Sequence, residues 1–272
     1  MEKQGSLSVV GTGIKVAADM TLLSQAQIKL ADIVFTVVPD KVSKQLIANL
    51  NPNTVDMTEF YAGDKSRLVT YNEMANVLVD AVKQGKRVCA AFYGHPGVFA
   101  YASHLAIRQV KALGYQAKME PGISAEDCLV ADLGIDPGKS GCNSFEATQF
   151  LFYQRTFDPY ALLVLWQIGL VGDHTMALEK TDNYQRGLKV LTDELLQYYP
   201  SEHKVIIYEA ATLALFSPRI EYIALQDLPQ AQLTAISTLV VPPNEEAPLD
   251  LATLALLGLT PSDIENTLDI DN

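Results

Sequence analysis

The chain has 272 residues, and with 49% of them hydrophobic it can bury one or two full domain cores. Thirty-two acids outweigh twenty bases for a formal charge of −12, which argues against a nucleic-acid binder, since such proteins neutralise phosphates with a basic face. The imbalance is local. The stretch 220–272 carries nine acids (Glu221, Asp227, Glu245, Glu246, Asp250, Asp263, Glu265, Asp269 and Asp271) and no Lys or Arg, so 20 bases face 23 acids before it, a charge of only −3.

The best apolar stretch, Ala161 to Leu170, is interrupted at Gln167 and too short for a membrane span. Met1-Glu2-Lys3-Gln4-Gly5 leads straight into a strand pattern, with no secretory leader expected. Cys89, Cys128 and Cys142 are odd in number, lack metal-ligand spacing and sit among apolar neighbours, which predicts reduced structural thiols in a cytoplasmic protein.

In chain order, Leu7 to Val10 reads as a strand ending at Gly11-Thr12-Gly13, Leu22 to Leu30 as a helix and Ile33 to Val38 as a buried strand. A further strand ends near Met57. Met74, Val77, Leu78, Ala81 and Val82 recur at helical spacing, Lys86 to Phe92 gives another strand, and a helix over Tyr101 to Leu113 stops at Gly114. The alternation predicts an α/β fold with a largely parallel sheet. After about residue 160 the pattern changes: Leu162 to Gln167, Lys204 to Ala210, Ile220 to Leu225 and Leu239 to Val241 read as strands, with one helix from Asn183 to Tyr199. Few helices separate the last strands, so this half is expected to be a mixed α/β unit with antiparallel pairing, joined near Asp158-Pro159. Leu251 to Leu257 and Pro261 to Leu268 read as terminal helices. The resulting division is 1–158, 159–245 and an acidic helical tail, 246–272.

Gly11-Thr12-Gly13 invites a dinucleotide-binding reading, but the third glycine of that fingerprint would fall at Val16, so a tight turn is the better reading. Tyr93-Gly94-His95-Pro96-Gly97-Val98-Phe99 follows a strand, where open α/β sheets place ligands, and Pro121-Gly122-Ile123-Ser124-Ala125-Glu126-Asp127 is a second such turn. Together they point to a shared pocket. His95, His104, His174 and His203 show no metal-binding spacing, so no metal site is expected and His95 is taken as a polar pocket contact. Tyr61, Arg67 and Tyr71 precede the helix that holds Met74. Thr70 and Glu73 match a capping box that leaves Arg67 just outside the helix, whereas apolar spacing back to Leu68 puts Arg67 and Tyr71 one turn apart inside it. Either way the cation would lower the pKa of a neighbouring phenol.

The segments Tyr93 to Phe99, Pro121 to Cys128 and Ala131-Asp-Leu-Gly-Ile-Asp-Pro137 resemble the tetrapyrrole methylase superfamily of S-adenosylmethionine enzymes. More specifically, with Tyr61, Arg67 and Tyr71, they resemble its borosin members, peptide backbone α-N-methyltransferases that act on ribosomally made precursors. The resemblance covers about residues 5 to 245. It implies a two-domain tetrapyrrole methylase-like (class III methyltransferase) fold, S-adenosylmethionine in the cleft between domains, and an intertwined homodimer. It also implies that Tyr61, Arg67 and Tyr71 are catalytic, and that Tyr93, His95, Val98, Phe99, Ser124, Ala125 and Gln167 contact the cofactor. Ala210, Ser237 and Thr238 match cofactor contacts in the second domain through weaker local similarity. Fungal members continue into a fused, self-methylated peptide, whereas this sequence ends at Leu268-Asp-Ile-Asp-Asn272. A discrete, bacterial-type enzyme is therefore expected, assembling with a separate precursor peptide. The alternatives are a tetrapyrrole C-methyltransferase on the same fold and a catalytically silent cofactor- or peptide-binding module.

Overall fold

The computed structural model describes residues 4–61, 65–173 and 182–268. The first unit is built from β1 (Ser6–Gly11), α1 (Leu22–Leu30), β2 (Ile33–Val37), α2 (Lys41–Leu50), β3 (Thr54–Asp56), α3 (Arg67–Lys83), β4 (Arg87–Phe92), α4 (Tyr101–Ala112), β5 (Gln116–Glu120) and α5 (Ala125–Leu133). Its five strands lie in the order β3-β2-β4-β1-β5 and every pairing is parallel. Parallel strands buried on both faces need continuous apolar sequence. Val9, Val10, Val34, Val88, Cys89, Ala90 and Ala91 supply it and are inaccessible to solvent.

The second unit begins earlier than the sequence suggested. After the short α6 (Pro137–Ser140) come β6 (Cys142–Glu146), α7 (Ala147–Phe152), β7 (Leu162–Trp166), α8 (Asp182–Leu195), β8 (Lys204–Glu209), β9 (Arg219–Ala224) and β10 (Thr238–Val241). They form a sheet in the order β6-β7-β10-β8-β9, with β6 parallel to β7 and the remaining pairs antiparallel. The sheet is mixed, as expected, but β6 places the change of sheet ahead of Asp158-Pro159. Cys-Asn-Ser-Phe-Glu is short and mostly polar, with Cys142 and Ser144 exposed, so it carries none of the apolar signal of a central strand. Its edge position explains why that composition is tolerated.

The chain ends in α9 (Leu251–Leu256) and α10 (Pro261–Leu268), the predicted terminal helices. The thiol reading needs one correction: Cys89 and Cys128 are buried, but Cys142 is exposed. No helix among the described residues is long and apolar enough to cross a membrane.

One apolar cluster ties the units together. Ile14, Cys128 and Leu129 of the first pack against Leu162, Val164, Trp166, Ile206, Tyr208 and Val240 of the second. The Tyr208 hydroxyl donates to Asp132 Oδ2 at 2.8 Å, and the Val16 amide donates to the Thr212 carbonyl at 2.8 Å across the same junction. The cleft is open at the carboxyl ends of β1, β4 and β5.

Candidate active site

Three glycine turns make the first wall. A Cβ added at Gly11 would sit 2.8 Å from Gly122 Cα and 2.9 Å from Pro96 Cδ, closer still to the Gly94 carbonyl, so the turns after β1, β4 and β5 pack backbone to backbone. Gly13 and Gly94 exchange backbone hydrogen bonds at 3.0 and 3.3 Å. The Gly11-Thr12-Gly13 turn is thus a packing device for the neighbouring loops. Within the Tyr93 to Phe99 loop, His95 Nδ1 accepts from the Gly97 amide at 3.0 Å, which fixes the ring against its own turn. Ser124 and Asp127 form a reciprocal capping box at the start of α5.

The cleft is lined by Ile14, Tyr93, His95, Val98, Phe99, Ser124, Ala125 and Glu126 on one side and Trp166, Gln167, Tyr208, Ala210, Ile236 and Thr238 on the other. Nine of the ten residues expected at the cofactor therefore meet there. Ser237 does not: it is fully buried, its hydroxyl donates to Glu209 Oε1 at 2.5 Å and accepts from the Thr234 amide at 2.8 Å, so it braces the turn before β10. Trp166 and Tyr208 were not singled out in the sequence, where both look like ordinary core aromatics. Trp166 faces Phe99 across the cleft at 6.2 Å and anchors its indole N–H on Ser144 Oγ at 2.8 Å. Phe99 and Gln167, on opposite walls, both hold positive φ (50° and 59°), a conformation side chains resist. Both positions line the cleft, so its walls carry two of the three strained non-glycine backbones among the described residues.

Mixed aromatic, apolar and hydrogen-bonding walls fit S-adenosylmethionine: aromatic faces for the adenine, and Ser124, Gln167 and Thr238 for polar groups.

Arg67 is the first residue of α3, capped by Ser66 without a side-chain bond, so the Thr70/Glu73 capping box does not form and Arg67 and Tyr71 lie one turn apart inside the helix. Thr70 is buried, and Glu73 pairs with Lys65 instead. Arg67 reaches across to the second unit: Nη1 lies 3.8 Å from Glu146 Oε1, at the end of β6, and Nη2 donates to the Asp173 carbonyl at 3.3 Å. Tyr71 packs on Tyr101, 6.1 Å between ring centres, where α4 begins directly after the Phe99 loop.

The expected pKa depression is overridden. Burial pushes Tyr61 up to about 12, Tyr71 raises it further, and Arg67 opposes the rise without cancelling it. Tyr71 is likewise raised by burial, with Arg67 lowering and Glu146 raising it. Both phenols are protonated at rest, with a cation close enough to favour either anion. Burial also raises Tyr93 to about 12. His174 lies outside the described residues.

Residues 6–217 match the model of tetrapyrrole (corrin/porphyrin) methylases. The chain belongs to that methylase family. Within it, the chain is 39% identical over 264 residues to the methyltransferase and ribosomally synthesized omphalotin A precursor of Omphalotus olearius, covering 96% of this chain and 63% of the relative. It is 41% identical over 261 residues to a type III borosin precursor of Anomoporia bombycina, covering 94% of this chain and 30% of the relative. The chain thus spans less than two thirds of the length of these curated relatives. Among solved methylases, uroporphyrin-III C-methyltransferase from Thermus thermophilus superimposes with a TM-score of 0.64 at 17% identity, covering 88% of this chain and 93% of that one, which shows the fold.

Proposed function

We propose that the protein is an S-adenosylmethionine-dependent methyltransferase acting on the backbone amides of a ribosomally made peptide. The observation that carries this reading is the Tyr61/Arg67/Tyr71 cluster beside a cofactor-shaped cleft, in a chain about 40% identical to borosin methyltransferases.

An amide nitrogen is a poor nucleophile because its lone pair is delocalised into the carbonyl. The bound donor supplies an electrophilic methyl on a sulfonium sulfur. The protein must therefore remove the amide proton and hold the charge left on the carbonyl oxygen. One phenol of the Tyr61/Tyr71 pair, ionised beside Arg67, accepts the proton, and the other donates a hydrogen bond to the amide oxygen. Arg67 keeps the added negative charge tolerable in a half-buried site. The loop from Tyr93 to Phe99, Ser124, Ala125, Gln167, Ala210 and Thr238 would hold the donor, with the buried Trp166 ring as part of its apolar wall.

The finer reading is a cytoplasmic homodimer that takes its precursor as a separate chain, whereas the relatives are named as methyltransferase and precursor in one. Exposed Leu215, Phe216, Leu256 and Leu257 support an apolar contact with a second copy. Purified protein is incubated with labelled donor and, as a separate chain, the precursor peptide of the Omphalotus olearius relative, and fragments of both chains are read by mass spectrometry. Methyl groups on peptide amide nitrogens support the proposal. Label transferred only to a corrin carbon when a tetrapyrrole is offered refutes it.

A further inference from the structure

Glu146 ends β6, and its two oxygens do different work. Oε2 accepts from the Gln149 amide at 2.7 Å and caps α7. Oε1 is buried with no hydrogen-bond partner among the described residues, and faces the Arg67 guanidinium at 3.8 Å across the junction between the two units. A carboxylate oxygen taken out of water without a hydrogen bond is destabilising on its own. A helix cap alone needs only one oxygen and no charge, since serine, threonine or asparagine would do it. The second oxygen, aimed at the cation of the reacting cluster, is therefore left unexplained by capping.

We propose that Glu146 is a positioning residue for methyl transfer: from the second unit it seats the Arg67 guanidinium beside Tyr71 and sets how readily that phenol gives up its proton. The proposal rests on the reading that the Tyr61/Arg67/Tyr71 cluster is the methylation site. Among the described residues, the charged or titratable groups that bear on Tyr71 are Arg67 on its own helix and Glu146 from β6; Tyr101 of α4 meets its ring, and Tyr61 interacts with it in turn. Asp173 contributes its backbone carbonyl to the guanidinium. Glu146 and Arg67 thus act on the same phenol in opposite senses, one through the other's position. Joining them across the junction also makes the phenol's proton affinity depend on how the two units are seated, so a displaced second unit would change the chemistry as well as the cleft.

The test is Glu146→Gln, which keeps the volume and a capping oxygen but removes the charge. Protein labelled at tyrosine Cζ is titrated by NMR, with Tyr71→Phe used to assign the Tyr71 resonance. Loss of the anion with the cation still held by the Asp173 carbonyl should move the Tyr71 titration to lower pH by about one unit. Donor affinity, measured by calorimetry, should stay within about twofold, while the rise of turnover with pH shifts down with the phenol and its high-pH limit falls several-fold, because the guanidinium is no longer seated. Glu146→Asp, which keeps the charge but shortens the reach, should leave the Tyr71 titration nearly in place and still lower turnover, and it replaces Glu146→Gln if that variant does not fold. A Tyr71 titration identical in wild type and Glu146→Gln, or full turnover in both variants, overturns the proposal. Because the titration needs neither peptide nor donor, it can fail while peptide methylation stands, and it can succeed in a chain that methylates no peptide.

Discussion

At Tyr61 two effects of known sign compete: burial disfavours the phenolate, and the Arg67 charge favours it. Burial wins in the free chain and holds the phenol near 12, so the base form is scarce at neutral pH. The methylation rate should then climb with pH through the range 7 to 10, by close to tenfold per unit, because the ionised fraction of a phenol grows that way below its pKa. A rate that is flat across this range in single-turnover experiments would remove a phenol from the role of base. Arg67→Ala, Tyr61→Phe and Tyr71→Phe should each lower turnover by about a hundredfold or more while donor affinity by calorimetry changes little. Tyr93→Ala should do the reverse, weakening donor binding. The spacing left two placements open for Arg67, outside the helix behind a capping box or one turn from Tyr71 inside it, and the structure takes the second; the catalytic roles of Tyr61, Arg67 and Tyr71 came from the family resemblance, since no local pattern carries them. Glu146 was not legible. Its partner lies in the other unit, and nothing local distinguishes it from a helix cap.

Elements place these residues through their ends. The turns after β1, β4 and β5 meet at Gly11, Gly94 and Gly122, where no side chain fits. Gly11→Ala should force those turns apart, costing about 1–3 kcal/mol of stability as overpacked sites do, and weaken donor binding with it. Gln167 pays the opposite way, since it holds a left-handed backbone at φ 59° that only glycine adopts freely. Gln167→Gly should therefore raise stability by about 1 kcal/mol and lower donor affinity, and a denaturant titration paired with calorimetry reads both. The helices Leu22–Leu30 and Tyr101–Ala112 and the strands β1, β2, β4, β7, β8 and β10 were readable because apolar residues dominate each at its own spacing; β9, largely exposed, was readable only from its β-branched and aromatic residues. The strand β6 and the helix α2 were passed over in the sequence. Polar residues alternate through the edge strand, which hides it, whereas α2 carries Val42, Leu46, Ile47 and Leu50 at helical spacing behind the Asp40 cap, a signal no weaker than that of Leu22–Leu30.

Across the whole molecule, several buried phenols share one consequence. Tyr61, Tyr93 and Tyr199 are held near 12, and burial and the Asp132 bond push Tyr208 up as well, against 10 in an unfolded chain. Below pH 10 the phenols are protonated in both states and the folded chain keeps its full advantage. Between 10 and about 12 the unfolded chain releases protons that the folded one retains, so stability falls as pH rises. Thermal melting at pH 8 and 11 should show a clear drop in Tm at the higher value, and an unchanged Tm would contradict the burial of these hydroxyls. The acidic end differs in its surface. Between 220 and 272 nine acids go unbalanced, yet α9 exposes Leu251 and Leu256, with Leu257 just beyond it. A short helix that is acidic in setting and apolar in surface suits a contact surface rather than the catalytic cleft. In the proposed homodimer, removal of 248–272 should lower the dimer fraction in analytical ultracentrifugation without changing donor affinity. The central claim, amide methylation at the Tyr61/Arg67/Tyr71 cluster, is tested most directly by co-expressing the chain with the precursor peptide of the Omphalotus olearius relative as a separate chain and sequencing that peptide by tandem mass spectrometry. Methyl groups on backbone nitrogens, absent when Arg67→Ala replaces the wild type, are the predicted result. An unmodified peptide, or equal methylation by the variant, would contradict it.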